Sequence, residues 1–234
     1  MPRLFVLVEG PTEEMFVNEI LAPHLYRKGF HSISARIFGS ARARSKRGGV
    51  KGWDSTKVDF TRILKQSDNC YVTTIVDYYG MPSTPGHVKT WPGRDSAEKV
   101  EKKFRAEYVE KALKQEIIHL MGANWDPSFF IPFVALHEFE AWLFSDCQAT
   151  ASALGIPSLS PMLQVMRDEF ETPEEINDTR ETSPSHRILA LMPEYEKPLF
   201  GNLAILGIGL EKISFECPHF AAWLKKLENL IPKL

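Results

Sequence analysis

Three apolar runs constrain this chain most, because each has the length of a buried strand and each leads straight into acidic residues. Residues 3–9 read RLFVLVE, residues 70–77 read CYVTTIVD, and residues 129–136 read FFIPFVAL, followed at once by His137, Glu138, Phe139 and Glu140. Unbroken runs of this kind suit strands buried on both faces, as in parallel sheets. Between them lie helical patterns. One runs from about Pro11 to Arg27, with Met15, Phe16, Ile20 and Leu21 near one face and Gly29 beyond its end; a second spans Asp54 to Gln66; a charged third spans Ser96 to His119. Residues 31–38, HSISARIF, alternate as a further strand. Strand and helix in turn predict an α/β fold with a mostly parallel sheet flanked by helices, since parallel strands need crossover connections. From residue 146 onward, prolines at 157, 161, 173, 184, 193, 198, 218 and 232 cut the chain into short helical segments. The expected organisation is an α/β domain over residues 1–145 and a C-terminal helical subdomain over 146–234 packed on it, closed by the amphipathic stretch LEKISFECPHFAAWLKKLENL.

A chain of 234 residues is long enough to bury a large core. Its three cysteines, Cys70, Cys147 and Cys217, are far apart and lack a CxxC pair, which points away from a disulfide framework or a structural zinc site and towards a reducing, cytoplasmic setting. The run LFVLV is too short for a signal peptide core, and no apolar run approaches the roughly 20 residues of a membrane span. A net charge of −2 excludes a whole-surface polycation but allows a local basic patch. No Walker GxxxxGK[ST] motif, GxSxG elbow or HExxH motif is present, so nucleotide hydrolysis, ester hydrolysis and zinc proteolysis have no support.

Ligands of parallel α/β sheets gather at the carboxyl ends of the strands. Glu9, Glu13, Asp77, Glu138 and Glu140 all fall at such ends or in the turns after them. Hard cations such as Mg²⁺ or Mn²⁺ take carboxylate oxygens, waters and substrate phosphates, so acids on one rim suit phosphoryl chemistry. A carboxylate ending an apolar strand is costly to desolvate without a cation or hydrogen-bond donors, which singles out Glu9 and Asp77. Glu13 also suits a helix N-terminus, where negative charge is favoured. Phe139, Trp142 and Leu143 are spaced as the buried face of a helix, with Glu138 in its first turn as a cap and Glu140 as the better metal ligand. The segment ARARSKRGGVKGW is the only dense basic patch. There Arg42, Arg44, Lys46, Arg47 and Lys51 suit phosphate contacts, with Trp53 beside them to stack a base.

The segments LVEGPTEE, IVDYYGMPSTPG, HEFEAWLFSD, TPEEINDTRETSPSHRIL, YEKPLFG and CPHFAAWLKKLE, in that order, resemble the bacterial Toprim-like family known as domain of unknown function 4276. More distantly, the first segment is similar to the Toprim fold of topoisomerases, bacterial primases and the overcoming-lysogenization-defect nucleases. The resemblance implies metal roles for Glu9 and Glu13 from EGPTE and for Asp77 from a DxD position whose second acid is replaced by Tyr79, with Glu138 or Glu140 supplying a further oxygen. It implies a metal-dependent nuclease acting on DNA or RNA, an ATPase partner protein and a role in bacterial defence against phage. Lys197 of YEKPLFG is the candidate ammonium for stabilising charge on the phosphoryl group. Two alternatives stand beside this: an inactive Toprim-like subunit that binds nucleic acid or an ATPase, and a small-molecule phosphohydrolase using the same acids. Oligomeric state is open.

Overall fold

The computed structural model describes residues 2–38, 51–66, 70–83, 90–176 and 181–231. Among them β1 (Arg3–Val8), β2 (Ser32–Ile37), β3 (Cys70–Asp77), β4 (Phe130–Ile131) and β5 (Val134–Ala135) form one sheet. The order is β2-β1-β3-β4, with β5 also on β3, and every pairing is parallel. The fold is therefore α/β, a parallel sheet flanked by helices and followed by a helical C-terminal region, as the alternation of patterns predicts. Two compact units divide the chain after Leu136 rather than after Ser145. One comprises residues 1–136 with 227–234, the other residues 137–226.

In the first unit, β1 feeds a helix that runs as α1 (Pro11–Phe16), a wide turn at Val17–Leu21 and α2 (Ala22–Tyr26). The wide turn, where the Ala22 N–H reaches back five residues to the Val17 carbonyl, immediately precedes Pro23. Proline has no N–H and its ring crowds the carbonyl four residues back, so the loosened register accommodates it inside the helix. α3 spans Trp53–Leu64. The charged helix expected over 96–119 is instead two, α4 (Arg94–Ala97) and α5 (Arg105–Met121). Between them Glu101 is extended, and the Arg105 guanidinium donates to the Val100 and Glu98 carbonyls at 3.1 and 3.2 Å. The last apolar run is likewise split, at Pro132, into β4 and β5. Side chains of β3 bridge the break: Thr73 Oγ1 donates to the Ile131 carbonyl, Thr74 Oγ1 donates to the Phe133 carbonyl at 2.7 Å, and the Phe133 N–H donates to Thr74 Oγ1 at 2.8 Å. The core on one face is aromatic, with Phe38, Trp53, Phe60, Trp91 and Phe130 buried together. At the C-terminal end, Glu228 lies 2.6 Å from His24 and 3.2 Å from Lys28 of the α2 region.

In the second unit, residues Phe139–Ser145 form a 3₁₀ helix whose seven residues are all buried. The expected amphipathic α-helix would have left one face in water; here Trp142 packs on Phe220 with ring centroids 4.9 Å apart. It is followed by α6 (Cys147–Ala153), α7 (Ser160–Arg167), α8 (Pro184–Leu191), a wide turn at Lys197–Gly201, α9 (Asn202–Ile208), α10 (Leu210–Glu216) and α11 (Pro218–Glu228). The closing stretch is thus two helices, because Pro218 cannot donate the hydrogen bond that would continue α10. The three cysteines are buried thiols; burial pushes that of Cys147 up to about 12. Among the described residues, no single helix is long and apolar enough to cross a membrane.

Candidate functional site

The strand order decides where the first carboxylates lie. From β1 the chain moves outward to β2 on one side and returns to β3 on the other, so the β1–β3 crevice is the topological switch point, where ligands of open α/β sheets bind. Val8 pairs with Ile75, Glu9 follows β1 directly, and Asp77 ends β3. The Asp77 N–H donates to Glu9 Oε2 at 3.4 Å. Asp77 is 7% exposed, whereas Glu9 is only partly buried. The turn Tyr78–Tyr79–Gly80 folds back on Glu9 so closely that a Cβ on Gly80 would lie 2.8 and 2.9 Å from the two carboxylate oxygens. Glycine is needed there for close approach. Glu13, also buried, accepts a hydrogen bond from the Gly10 N–H at 3.0 Å, which makes it the cap of α1.

Sequence reasoning passed over the residue that holds this turn. Arg94 is 4% exposed; its Nε donates to the Tyr78 carbonyl at 3.2 Å, an Nη donates to the Tyr78 hydroxyl at 2.9 Å, and its guanidinium lies 3.9 Å from the Tyr78 ring centre. Glu98 pairs with both Arg94 and Arg105. Burial opposes ionisation of Glu98, but hydrogen bonds from Arg94 and Tyr78 and the nearby Arg105 charge hold its carboxyl below the usual carboxylate range. Burial pushes the Tyr78 hydroxyl up to about 12. The signal available in the sequence was a lone arginine in a Gly/Pro-rich loop, WPGRD, which by itself reads as a solvated turn. Tyr79, at the second DxD position, is 45% exposed with its ring edge-on to Tyr78.

The second unit holds the remaining predicted residues. Glu138 precedes the 3₁₀ helix, and its carboxylate accepts from the Ser185 N–H at 3.0 Å, in the first turn of α8. It caps a helix, but that of another segment. Glu140 is 0% exposed and its Oε2 lies 2.7 Å from Lys197 Nζ; the Tyr195 hydroxyl donates to Oε1 at 3.5 Å. Burial raises the Glu140 carboxyl above its ordinary range, with the Lys197 charge working against that shift. Burial, reinforced by the Glu140 charge, also raises the Tyr195 hydroxyl. A Cβ on Gly201 would stand 2.9 Å from the Tyr195 hydroxyl, so the cluster closes only around a glycine. Glu140 and Lys197, expected to act separately as metal ligand and charge stabiliser, are thus one ion pair.

Of the basic patch, Arg42, Arg44, Lys46 and Arg47 lie outside the described residues. Lys51 is partly exposed and its carbonyl accepts from the Trp91 indole N–H at 2.8 Å. Trp53 is a correction: it is 6% exposed and packs edge-on to Trp91 with centroids 5.5 Å apart, so its ring is core and offers no face to a base. An indole at a helix start following a polar loop looks exposed in sequence; only packing against residues 38 positions away shows otherwise.

The C-terminal region of the Burkholderia pseudomallei OLD protein is similar to this structure with a TM-score of 0.48 at 13% identity, covering 98% of both chains. That of the Xanthomonas campestris pv. campestris OLD protein gives a TM-score of 0.44 at 17% identity, over 98% of this chain and 93% of the other. Comparison with curated proteins finds no match. The profile described as Domain of unknown function (DUF4276) matches residues 8–228, and the chain belongs to that family.

Proposed function

We propose that this protein is a divalent-metal-dependent nuclease that hydrolyses phosphodiester bonds of DNA or RNA. The observation that carries the reading is the placement of Glu9 and Asp77 together at the β1–β3 switch point, with the Glu9 carboxylate held by a backbone N–H and fitted against Gly80. Among the described residues no three His, Cys, Asp or Glu side chains are gathered to hold a metal ion. Two carboxylates nevertheless fit Mg²⁺ or Mn²⁺, which bind through one or two carboxylates and complete their shell with water and substrate phosphate. When bound, the cation would lower the pKa of a water and neutralise phosphate charge. Glu9 and Asp77 would hold it; Glu13, through Gly10, orients the turn after Glu9. Glu138 and Glu140 are engaged by α8 and by Lys197, so of the carboxylates given metal roles from sequence the proposal rests on Glu9 and Asp77.

Labelled DNA and tRNA pools incubated with the purified protein and Mn²⁺, alone and as Glu9→Gln, test the proposal. Cleavage that disappears in the variant and in chelator is the expected outcome. The exposed Tyr79 at the second DxD position favours a second reading, a non-enzymatic subunit that binds nucleic acid or an ATPase. Absence of cleavage with every divalent metal, with an ATPase partner of the same bacterial defence system supplied, would sink the nuclease and leave that reading.

A further inference from the structure

One face of α5 is unlike an ordinary solvated helix face. Ala106, Val109, Leu113 and Ile117 are buried, but Phe104 just before the helix and Tyr108 in its first turn are 47% and 41% exposed. Tyr108 and Lys111 are three apart in α5 and so share a helix face, and Phe104 caps that helix four residues before Tyr108. Lys99, Lys102, Lys103 and Lys111 are all exposed in the same stretch of chain, and the Lys103 ammonium lies 5.2 Å from the Phe104 ring centre. Lys103 also lies 3.2 Å from Glu101, but both side chains are about half exposed or more, and such pairs hold little in water. Within residues 99–114 the chain carries Lys99, Lys102, Lys103, Arg105, Lys111 and Lys114 against Glu101, Glu107 and Glu110. Glu110 is buried and accepts from the Val134 N–H at 2.9 Å, and Arg105 is paired with Glu98, so the exposed lysines Lys99, Lys102, Lys103 and Lys111 stand beside the exposed acids Glu98, Glu101 and Glu107 with a small basic excess. A basic strip on a chain whose net charge is −2 is complementary to a polyanion.

The strip is also tied to the acidic rim. Gly93, with φ of +78°, lies against α5: a Cβ there would be 2.6 Å from the Ala112 Cβ and 3.6 Å from the Tyr108 ring. The next residue, Arg94, holds the Tyr78 carbonyl of the turn that covers Glu9. A further exposed ring, that of Tyr79, belongs to that same turn.

We infer that Phe104 and Tyr108, with Lys99, Lys102, Lys103 and Lys111, form a binding strip for single-stranded nucleic acid, bases stacking on the rings and phosphates meeting the lysines. Rings present a face that any base can stack on, and flanking ammonium groups follow a backbone without reading sequence. A duplex keeps its bases stacked on one another and would meet only the lysines. The inference deepens the nuclease proposal by naming strandedness, but binding does not require cleavage.

Fluorescence anisotropy of labelled oligothymidylate and oligouridylate of about 15 nucleotides, with excess unlabelled duplex as competitor, tests it in chelator, where no hydrolysis intervenes. Phe104→Ala and Tyr108→Ala should each weaken binding at least about fivefold. Lys102→Gln with Lys103→Gln should reduce the slope of log affinity against log salt by about 1.4. All four side chains are exposed, so unchanged circular dichroism and melting are expected and are checked alongside. Tighter binding of oligouridylate than of oligothymidylate would assign the strip to RNA, and the reverse to DNA. Wild-type affinity in the aromatic variants, or duplex competing as well as single strand, overturns the inference even if the protein cleaves. Loss of binding in these variants upholds it even if no metal ever supports cleavage.

Discussion

The two units each bury or half-bury a key carboxylate, and they satisfy it in opposite ways. Glu140 is wholly withdrawn from water and faces the Lys197 ammonium at 2.7 Å, so its charge is answered within the protein. Glu9 stays partly exposed and is held by the Asp77 N–H and the close backbone of Gly80. One carboxylate is closed off from water with a cation; the other is oriented by a backbone N–H where water still reaches it. That difference is why Glu9 and Asp77, rather than Glu140, are the pair proposed to bind a cation.

The contrast can be broken most forcefully at Lys197. Lys197→Met leaves an uncompensated carboxylate in a fully buried position and should cost about 3 kcal/mol in urea unfolding, with most of it restored in the double variant Lys197→Met, Glu140→Leu. Glu9→Gln should change stability by less than about 0.5 kcal/mol, as surface substitutions do. Equal losses at both positions would erase the distinction.

The paired glycines sharpen it further. Gly201→Ala brings a methyl to 2.9 Å from the Tyr195 hydroxyl and 3.4 Å from the Phe139 ring, inside a buried cluster, and should cost about 1–3 kcal/mol. Gly80→Ala meets the end of a flexible, partly exposed side chain; Glu9 swings aside, so the expected cost is below about 1 kcal/mol. Any Mn²⁺ affinity measured by calorimetry should nevertheless fall with it. A Gly80→Ala protein that keeps full metal affinity would show that the carboxylate's seat is unimportant.

The smallest expected effect is on pH dependence, and its sign differs between units. Glu140, whose carboxyl is raised by burial against the pull of Lys197, binds its proton more tightly folded than unfolded. Its contribution is therefore present at low pH and lost as pH rises from the ordinary carboxylate range through the raised value. Glu98, held low by Arg94, Tyr78 and Arg105 despite the burial that opposes them, contributes above the ordinary range and loses that contribution as pH falls through its lowered value. Followed across acidic pH, the denaturation midpoint should fall less with rising pH in Glu140→Gln and fall less with falling pH in Glu98→Gln. Identical profiles for both variants would contradict the assignment.

Much of the first unit was legible because its signals are local. The three apolar runs became strands, β3 with the bounds the pattern predicts, and Glu9 and Asp77 stand at strand ends because period and composition suffice to end a strand. The breaks were less legible. Pro132 divides a run that reads as one strand, and the hydroxyls that bridge it come from Thr73 and Thr74, nearly sixty residues earlier. The second unit was the harder half, since short proline-bounded helices carry little periodicity, and its 3₁₀ helix is buried by packing on Phe220, about eighty residues later.

By itself, then, the sequence determined the α/β class, the parallel sheet and the acids at its carboxyl edge, because strand burial and crossover connections follow from patterns a few residues long. Tertiary structure alone decided which charge answers which. Lys197 and Glu140 are 57 residues apart, Ser185 and Glu138 are 47 apart, and Trp53 is core because of Trp91. Nothing local distinguishes a carboxylate that will meet an ammonium from one that will meet a backbone N–H. Only folding brings the partner.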